Sequence, residues 1–198
     1  IERLDSLLLH RPDALMEPEE VAVAFDHLEQ AGKVRHFGVS NQNPMMMELL
    51  KTAVKQPLKV NQLQLSAAFT PSFEAGFHVN MEGPKATVRD GSVFEYCRLT
   101  DTVIQAWSVL QHGYFKGNFV GKEEFAALNH VLADLAKKYQ VTPTAIALAW
   151  VLRYPGKTQA VIGTTKPQHV LEAGKAADVT LTRKEWYQVY LAAGNDLP

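Results

Sequence analysis

The chain has 198 residues, 46% of them hydrophobic and 21% charged, and a net charge of −1. That balance belongs to an ordinary globular protein, large enough for one domain with a sizeable core. It excludes the basic blocks of nucleic-acid binders and the ~20-residue apolar runs of membrane helices, and the single Cys97 excludes an internal disulfide framework.

In chain order, the start Ile1-Glu2-Arg3-Leu4-Asp5 does not read as a signal peptide. The first apolar run, Ser6–Leu9, reads as a buried strand that delivers His10 to its C-terminal end, before the turn signal Pro12-Asp13. Glu17-Pro18-Glu19-Glu20 opens a helix with an apolar stripe of Val21, Ala24, Phe25 and Leu28, stopped by Gly32. A second strand, Arg35–Ser40, is followed by a helix opened by Asn43-Pro44. A third strand, Val60–Ser66, leads into the long, weakly patterned stretch Phe69–Gly91, which could form a lid. A short helix over Ser92–Arg98 contains Cys97 as inert packing, and the fourth strand is Thr102–Trp107.

After the glycine-rich stretch His112–Gly121, the residues Phe125, Leu128, Leu132, Leu135 and Tyr139 recur at helical spacing. Thr142-Pro143 caps a further helix, apolar nearly all round over Ile146–Leu152. Gln159–Ile162 is the fifth strand. Thr182-Arg183-Lys184-Glu185 is a capping box ahead of Trp186, Val189 and Tyr190. Strands alternating with helices predict a parallel α/β fold.

Polar residues collect at the strand ends. His10 alone is more often structural than catalytic. Ser40-Asn41 taken alone reads best as an N-cap pair. Asn61-Gln62 lies on the third strand, where a satisfied core amide is the plain reading. Trp107-Ser108 ends the fourth strand, and such a tryptophan is more often core than a stacking platform. Gly163-Thr164-Thr165-Lys166 follows the fifth strand and opens a helix. Its backbone N–H groups and lysine would suit a phosphate, although the GxxxxGK spacing of a P-loop is absent. The histidines show no metal-ligand spacing, and no metal is expected.

All of these signals fall at the C-terminal ends of different strands, where barrels of alternating strands and helices place their chemistry. Their order resembles the aldo-keto reductase family, in its bacterial branch of general oxidoreductases. The resemblance covers the whole chain, as the latter two-thirds of a family member, down to Leu181-Thr182-Arg183-Lys184-Glu185-Trp186-Tyr187 and the tail Ala192–Pro198. It implies a TIM (β/α)8 barrel of which residues 1–198, a single domain, supply about the last five βα units. It also implies an oxidoreductase that transfers hydride between NADP(H), or NAD(H), and an aldehyde, ketone or alcohol; the composition and the single Cys97 separately suit a reducing, cytoplasmic setting.

On the family pattern His10 is the catalytic histidine that orients the substrate carbonyl. Ser40, Asn41 and Gln62 would hold the nicotinamide carboxamide. Trp107 would stack on the nicotinamide, and Ser108 and Leu110 would line the pyrophosphate path. Gly163, Thr164, Thr165 and Lys166 would meet the adenosine end and its 2′-phosphate, with Glu172 at the adenine. The expected partner is a small-molecule carbonyl substrate, with no nucleic acid and no membrane; an oligomeric state is not assigned.

The departures from the pattern are specific. The family's catalytic aspartate, tyrosine and lysine belong to strands that would precede Ile1. The family usually has an arginine where His169 stands, which weakens the inference of NADP over NAD. Val109 replaces a frequent proline. Five strands cannot close an eight-stranded barrel, so this stretch alone is expected to be inactive. Two other readings stay open: a non-catalytic nicotinamide-binding relative or inactive fragment, and a different phosphate-binding barrel enzyme using only the Gly163–Lys166 loop.

Overall fold

A computed structural model describes residues 2–13, 16–77, 92–113 and 116–195. Its strands are β1 (Leu4–Leu9), β2 (Val34–Ser40), β3 (Leu58–Gln64), β4 (Val103–Trp107) and β5 (Thr158–Ala160), hydrogen-bonded in that order. β1 runs parallel to β2, and β2 to β3. The helices are α1 (Pro18–Gln30), α2 (Pro44–Lys51), α3 (Pro71–Phe77), α4 (Val93–Leu99), α5 (Ala126–Tyr139), α6 (Pro143–Leu152), α7 (Pro167–Gly174) and α8 (Arg183–Ala192). The chain divides into two compact units, Ile1–Leu63 with Ser92–Gln105, and Gln64–Gly91 with Ala106–Pro198.

In the first unit the core gathers Phe25 of α1, Val34, Phe37 and Val39 of β2, and Met47 and Leu50 of α2. The rings of Phe25 and Phe37 stack with centroids 4.2 Å apart. α1 is phased slightly differently from its expected stripe: Ala22 packs against this core, whereas Ala24 is exposed. Gly38 is required where β2 passes between its neighbours. A Cβ there would lie 2.5 Å from the Val60 carbonyl oxygen and 2.7 Å from Leu8 Cδ2, far inside van der Waals contact.

In the second unit the all-apolar α6 is the hub, with Ala145 to Val151 all buried. Thr142 caps it by accepting the Ala145 N–H at 3.2 Å. Trp150 and Trp186 stack 4.8 Å apart, and each indole N–H donates to the other residue's carbonyl at 3.0 Å. The segment expected to be weakly patterned contains α3, whose Phe73 sits edge-on to both tryptophans; residues 78–91 lie outside the described residues. β5 ends at Ala160, so Val161 and Ile162, expected within the strand, already belong to the loop beyond it.

The capping box at Thr182 forms as expected and is reinforced from α5. Glu185 accepts from Lys138 Nζ, from the Tyr139 hydroxyl at 2.8 Å and from the Thr182 N–H at 2.7 Å. Burial pushes its carboxyl up, but these donors together hold it down at about 2. A folded value below the ordinary carboxylate range stabilises the fold above that range, and this stability is lost as pH falls through the folded value. Glu185→Gln is therefore expected to cost about 1–3 kcal/mol at neutral pH. The difference should shrink steadily below pH 4.5 towards 2, as followed by urea denaturation at several pH values.

Candidate functional site

Each unit assembles one group of the expected site residues. In the first, the parallel register sets Ser40 beside Gln62. The Gln62 carbonyl accepts from Ser40 Oγ at 3.0 Å and from the Asn41 N–H at 2.9 Å. Asn41 Nδ2 donates to Ser40 Oγ at 2.9 Å. Asn41 takes the left-handed conformation, φ +53°, which asparagine tolerates better than most residues. The N-cap reading of Ser40-Asn41 does not hold, because Asn43 caps α2 by accepting the Met46 N–H.

Gln62 Nε2 donates to Gln105 Oε1 at 3.2 Å. Gln62 retains an amide hydrogen and Asn41 its Oδ1, a donor and an acceptor of the kind that complement a primary carboxamide. Asn61, beside them in sequence, is wholly buried. Its Nδ2 donates to the Gln42 carbonyl at 2.8 Å, while its Oδ1 has no partner among the described residues; it is a core amide only half satisfied. His10 follows the last residue of β1 and is exposed. Cys97 is buried, and its thiol is pushed up to about 11 by burial, with Asn61 pulling the other way; it is a packing residue.

The second group surrounds a cavity of about 500 Å³. Trp107, the last residue of β4, lines it with Ser108 and Leu110. Ser108 has φ +52°, a left-handed turn that is costly for serine and redirects the chain at the strand end. The chain then doubles back, with the Phe119 N–H donating to the Leu110 carbonyl at 3.0 Å and the His112 N–H to that of Gly117 at 3.2 Å. Gly163 and Thr164 supply another wall, and His169 and Glu172 of α7 a third.

Thr165 and Lys166 are exposed and do not line the cavity. Lys166 is the N-cap residue of α7, and its N–H donates to Thr164 Oγ1 at 3.2 Å. Sequence reading missed three polar lining residues: Gln111, Asn118 and Thr144. Gln111 and Asn118 form an isolated antiparallel bridge, and Thr144 sits one residue past Pro143 in the first turn of α6. The Thr142-Pro143 cap signal locates that turn, but not the surface it faces. No group of described residues is arranged to hold a metal ion.

The model of the aldo/keto reductase family matches residues 1–190. This chain belongs to the aldo/keto reductase family. It is 35% identical to oxidoreductase YdhF of Escherichia coli over its whole length, covering 60% of that protein. It is 34% identical to a 6-dehydroglucose reductase of Agrobacterium fabrum, across 99% of this chain and 59% of the relative. The chain thus spans about 60% of the length of the curated relatives it matches. An aldo-keto reductase from Klebsiella pneumoniae, solved in complex with NADPH, superposes with a TM-score of 0.72 at 23% identity, covering 95% of this chain and 58% of that one. That likeness shows the fold: a parallel α/β architecture of the aldo/keto reductase type, of which this chain supplies five strands.

Proposed function

We propose that the polypeptide carrying this chain is an NADP(H)-dependent oxidoreductase that interconverts an aldehyde or ketone with its alcohol. The observation that carries this reading is the cavity of about 500 Å³, because it gathers seven of the expected cofactor residues: Trp107, Ser108, Leu110, Gly163, Thr164, His169 and Glu172. Its volume lies in the range of small-molecule sites, and its walls mix apolar side chains with a few polar groups. The dinucleotide would supply hydride to the carbonyl carbon when bound, and the oxygen would take its proton from the family's catalytic tyrosine in the complete polypeptide, outside residues 1–198.

The chain's own residues would bind and orient. Trp107 offers an aromatic face for the nicotinamide, and Ser108 and Leu110 flank the path of the pyrophosphate. Gly163, Thr164, Thr165 and Lys166 serve the adenosine end, with His169 at the ribose and Glu172 at the adenine. Ser40 braces Asn41 and Gln62, whose amides would hold the carboxamide. His10 would donate a hydrogen bond to the substrate carbonyl oxygen and set its orientation. The lone, buried Cys97 is in keeping with a cytoplasmic setting.

NADPH consumption by the complete polypeptide should depend on an added carbonyl compound. The name of the Agrobacterium relative makes a sugar aldehyde the first to try. His10→Ala should lower kcat/KM by roughly 10²-fold or more while NADPH still binds. Binding without turnover for any aldehyde or ketone would favour a non-catalytic nicotinamide-binding relative. No binding at all would overturn the proposal.

A further inference from the structure

We propose that Gln105 is a positioning residue: by accepting a hydrogen bond from the Gln62 amide, it turns that amide so that a hydrogen stays available for the carbonyl oxygen of a nicotinamide carboxamide. The inference rests on the reading of Ser40, Asn41 and Gln62 as the carboxamide-holding group of a dinucleotide site. Gln105 does not line the cavity and acts through Gln62 alone.

Gln62 is held by both neighbouring strands. From β2, Ser40 Oγ and the Asn41 N–H both donate to its main-chain carbonyl, at 3.0 and 2.9 Å. Neither bond constrains the side chain. A glutamine stem is flexible and its terminal torsion is broad. Turning the amide over puts an acceptor where a donor was, so the orientation decides what a ligand meets. The side chain is fixed from β4 instead. Gln62 Nε2 donates to Gln105 Oε1 at 3.2 Å, from a position 43 residues earlier in the chain.

The β4 pattern places Gln105 for this. Ile104 and Ala106 are buried, while Val103, Gln105 and Trp107 are half-buried. Gln105 therefore shares a face of its strand with Trp107, and β3 and β4 are neighbours in the sheet. The bond to Gln105 uses one Nε2 hydrogen of Gln62 and leaves the other for a ligand. Gln105 Oε1 also opposes the overturned amide, which would set two carbonyl oxygens against each other. An amide acceptor does this without adding charge. A carboxylate at the same position would hold the donor equally well, but it would also attract the positive ring of an oxidised nicotinamide.

Calorimetric titration of the complete polypeptide with NADP+ and with its thionicotinamide analogue tests the inference. The analogue carries sulfur, a weak acceptor, in place of the carboxamide oxygen. The analogue-to-NADP+ ratio of Kd therefore reads what that oxygen contributes, and it should be well above one in the wild type. In Gln105→Leu, NADP+ should weaken about three- to tenfold and the analogue much less, so the ratio falls by nearly that factor. Gln105→Glu keeps an acceptor oxygen and should keep the wild-type ratio; the pull of its charge on the ring acts on both ligands and cancels. A purely structural role would weaken both ligands together and leave the ratio unmoved. A wild-type ratio near one, an unmoved ratio in Gln105→Leu, or an equal fall in Gln105→Glu would overturn the inference and leave the dinucleotide site standing. Failure of the wild type to bind NADP+ would overturn both.

Discussion

Trp150→Ala should remove most of the stability of the second unit. Trp150 is fully buried on the all-apolar helix α6. It stacks on Trp186 at 4.8 Å and meets Phe73 edge-on at 6.0 Å. Truncating a buried tryptophan costs about 3–5 kcal/mol in lost transfer energy and cavity. The loss of its indole N–H would also strand the Trp186 carbonyl that it serves at 3.0 Å, adding roughly 1 kcal/mol. Small domains have about 5–15 kcal/mol in all, so the variant should unfold at much lower urea, as read by circular dichroism. Trp150→Phe keeps a ring against Trp186 and Phe73 and should fall between the two. A loss under about 1.5 kcal/mol for the alanine variant would show that the paired tryptophans are not the anchor of this unit.

The second large effect concerns Trp107. It ends β4, is half-buried and lines the cavity beside Ser108 and Gly163. A nicotinamide against its indole should quench its emission. Trp150 and Trp186 are packed on each other within the second unit and do not line the cavity, so they supply a background that the ligand leaves almost unchanged. Replacing Trp107 with leucine keeps apolar volume in the wall but removes the ring. The quench should fall to a small fraction of its wild-type value. Affinity should weaken by roughly 0.5–1.5 kcal/mol, the scale of an aromatic contact.

Much of this architecture is written in short-range signals. The strands show as apolar runs closed by turns, and the Thr142-Pro143 and Thr182–Glu185 signals mark the helix starts they form. The rest depends on contacts distant in sequence. Helix α3 begins at Pro71, as helices often do, but its reason to form is Phe73 packing on Trp150 and Trp186, more than seventy residues away. Ala22 and Ala24 are indistinguishable by composition; a turn of helix phase decides which meets the core.

For the site, strand-end position singled out the residues, and geometry grouped them. Ser40 and Gln62 meet because of the β2–β3 register, which no local window contains. Ser40-Asn41 looked like a cap because both are good cap formers, yet the chain turns through Asn41 first and caps at Asn43. Gln111, Asn118 and Thr144 escaped notice because a loop that doubles back and an apolar helix give no sign of the cavity between them.

The most direct test of the central claim, that the cavity beside Trp107 holds a nicotinamide dinucleotide, is a fluorescence titration of the complete polypeptide with NADPH, comparing wild type with Trp107→Leu. Saturable quenching in the wild type, mostly abolished in the variant while calorimetry still detects binding, is the predicted result. Equal quenching in both proteins would place the dinucleotide away from Trp107 and contradict the account.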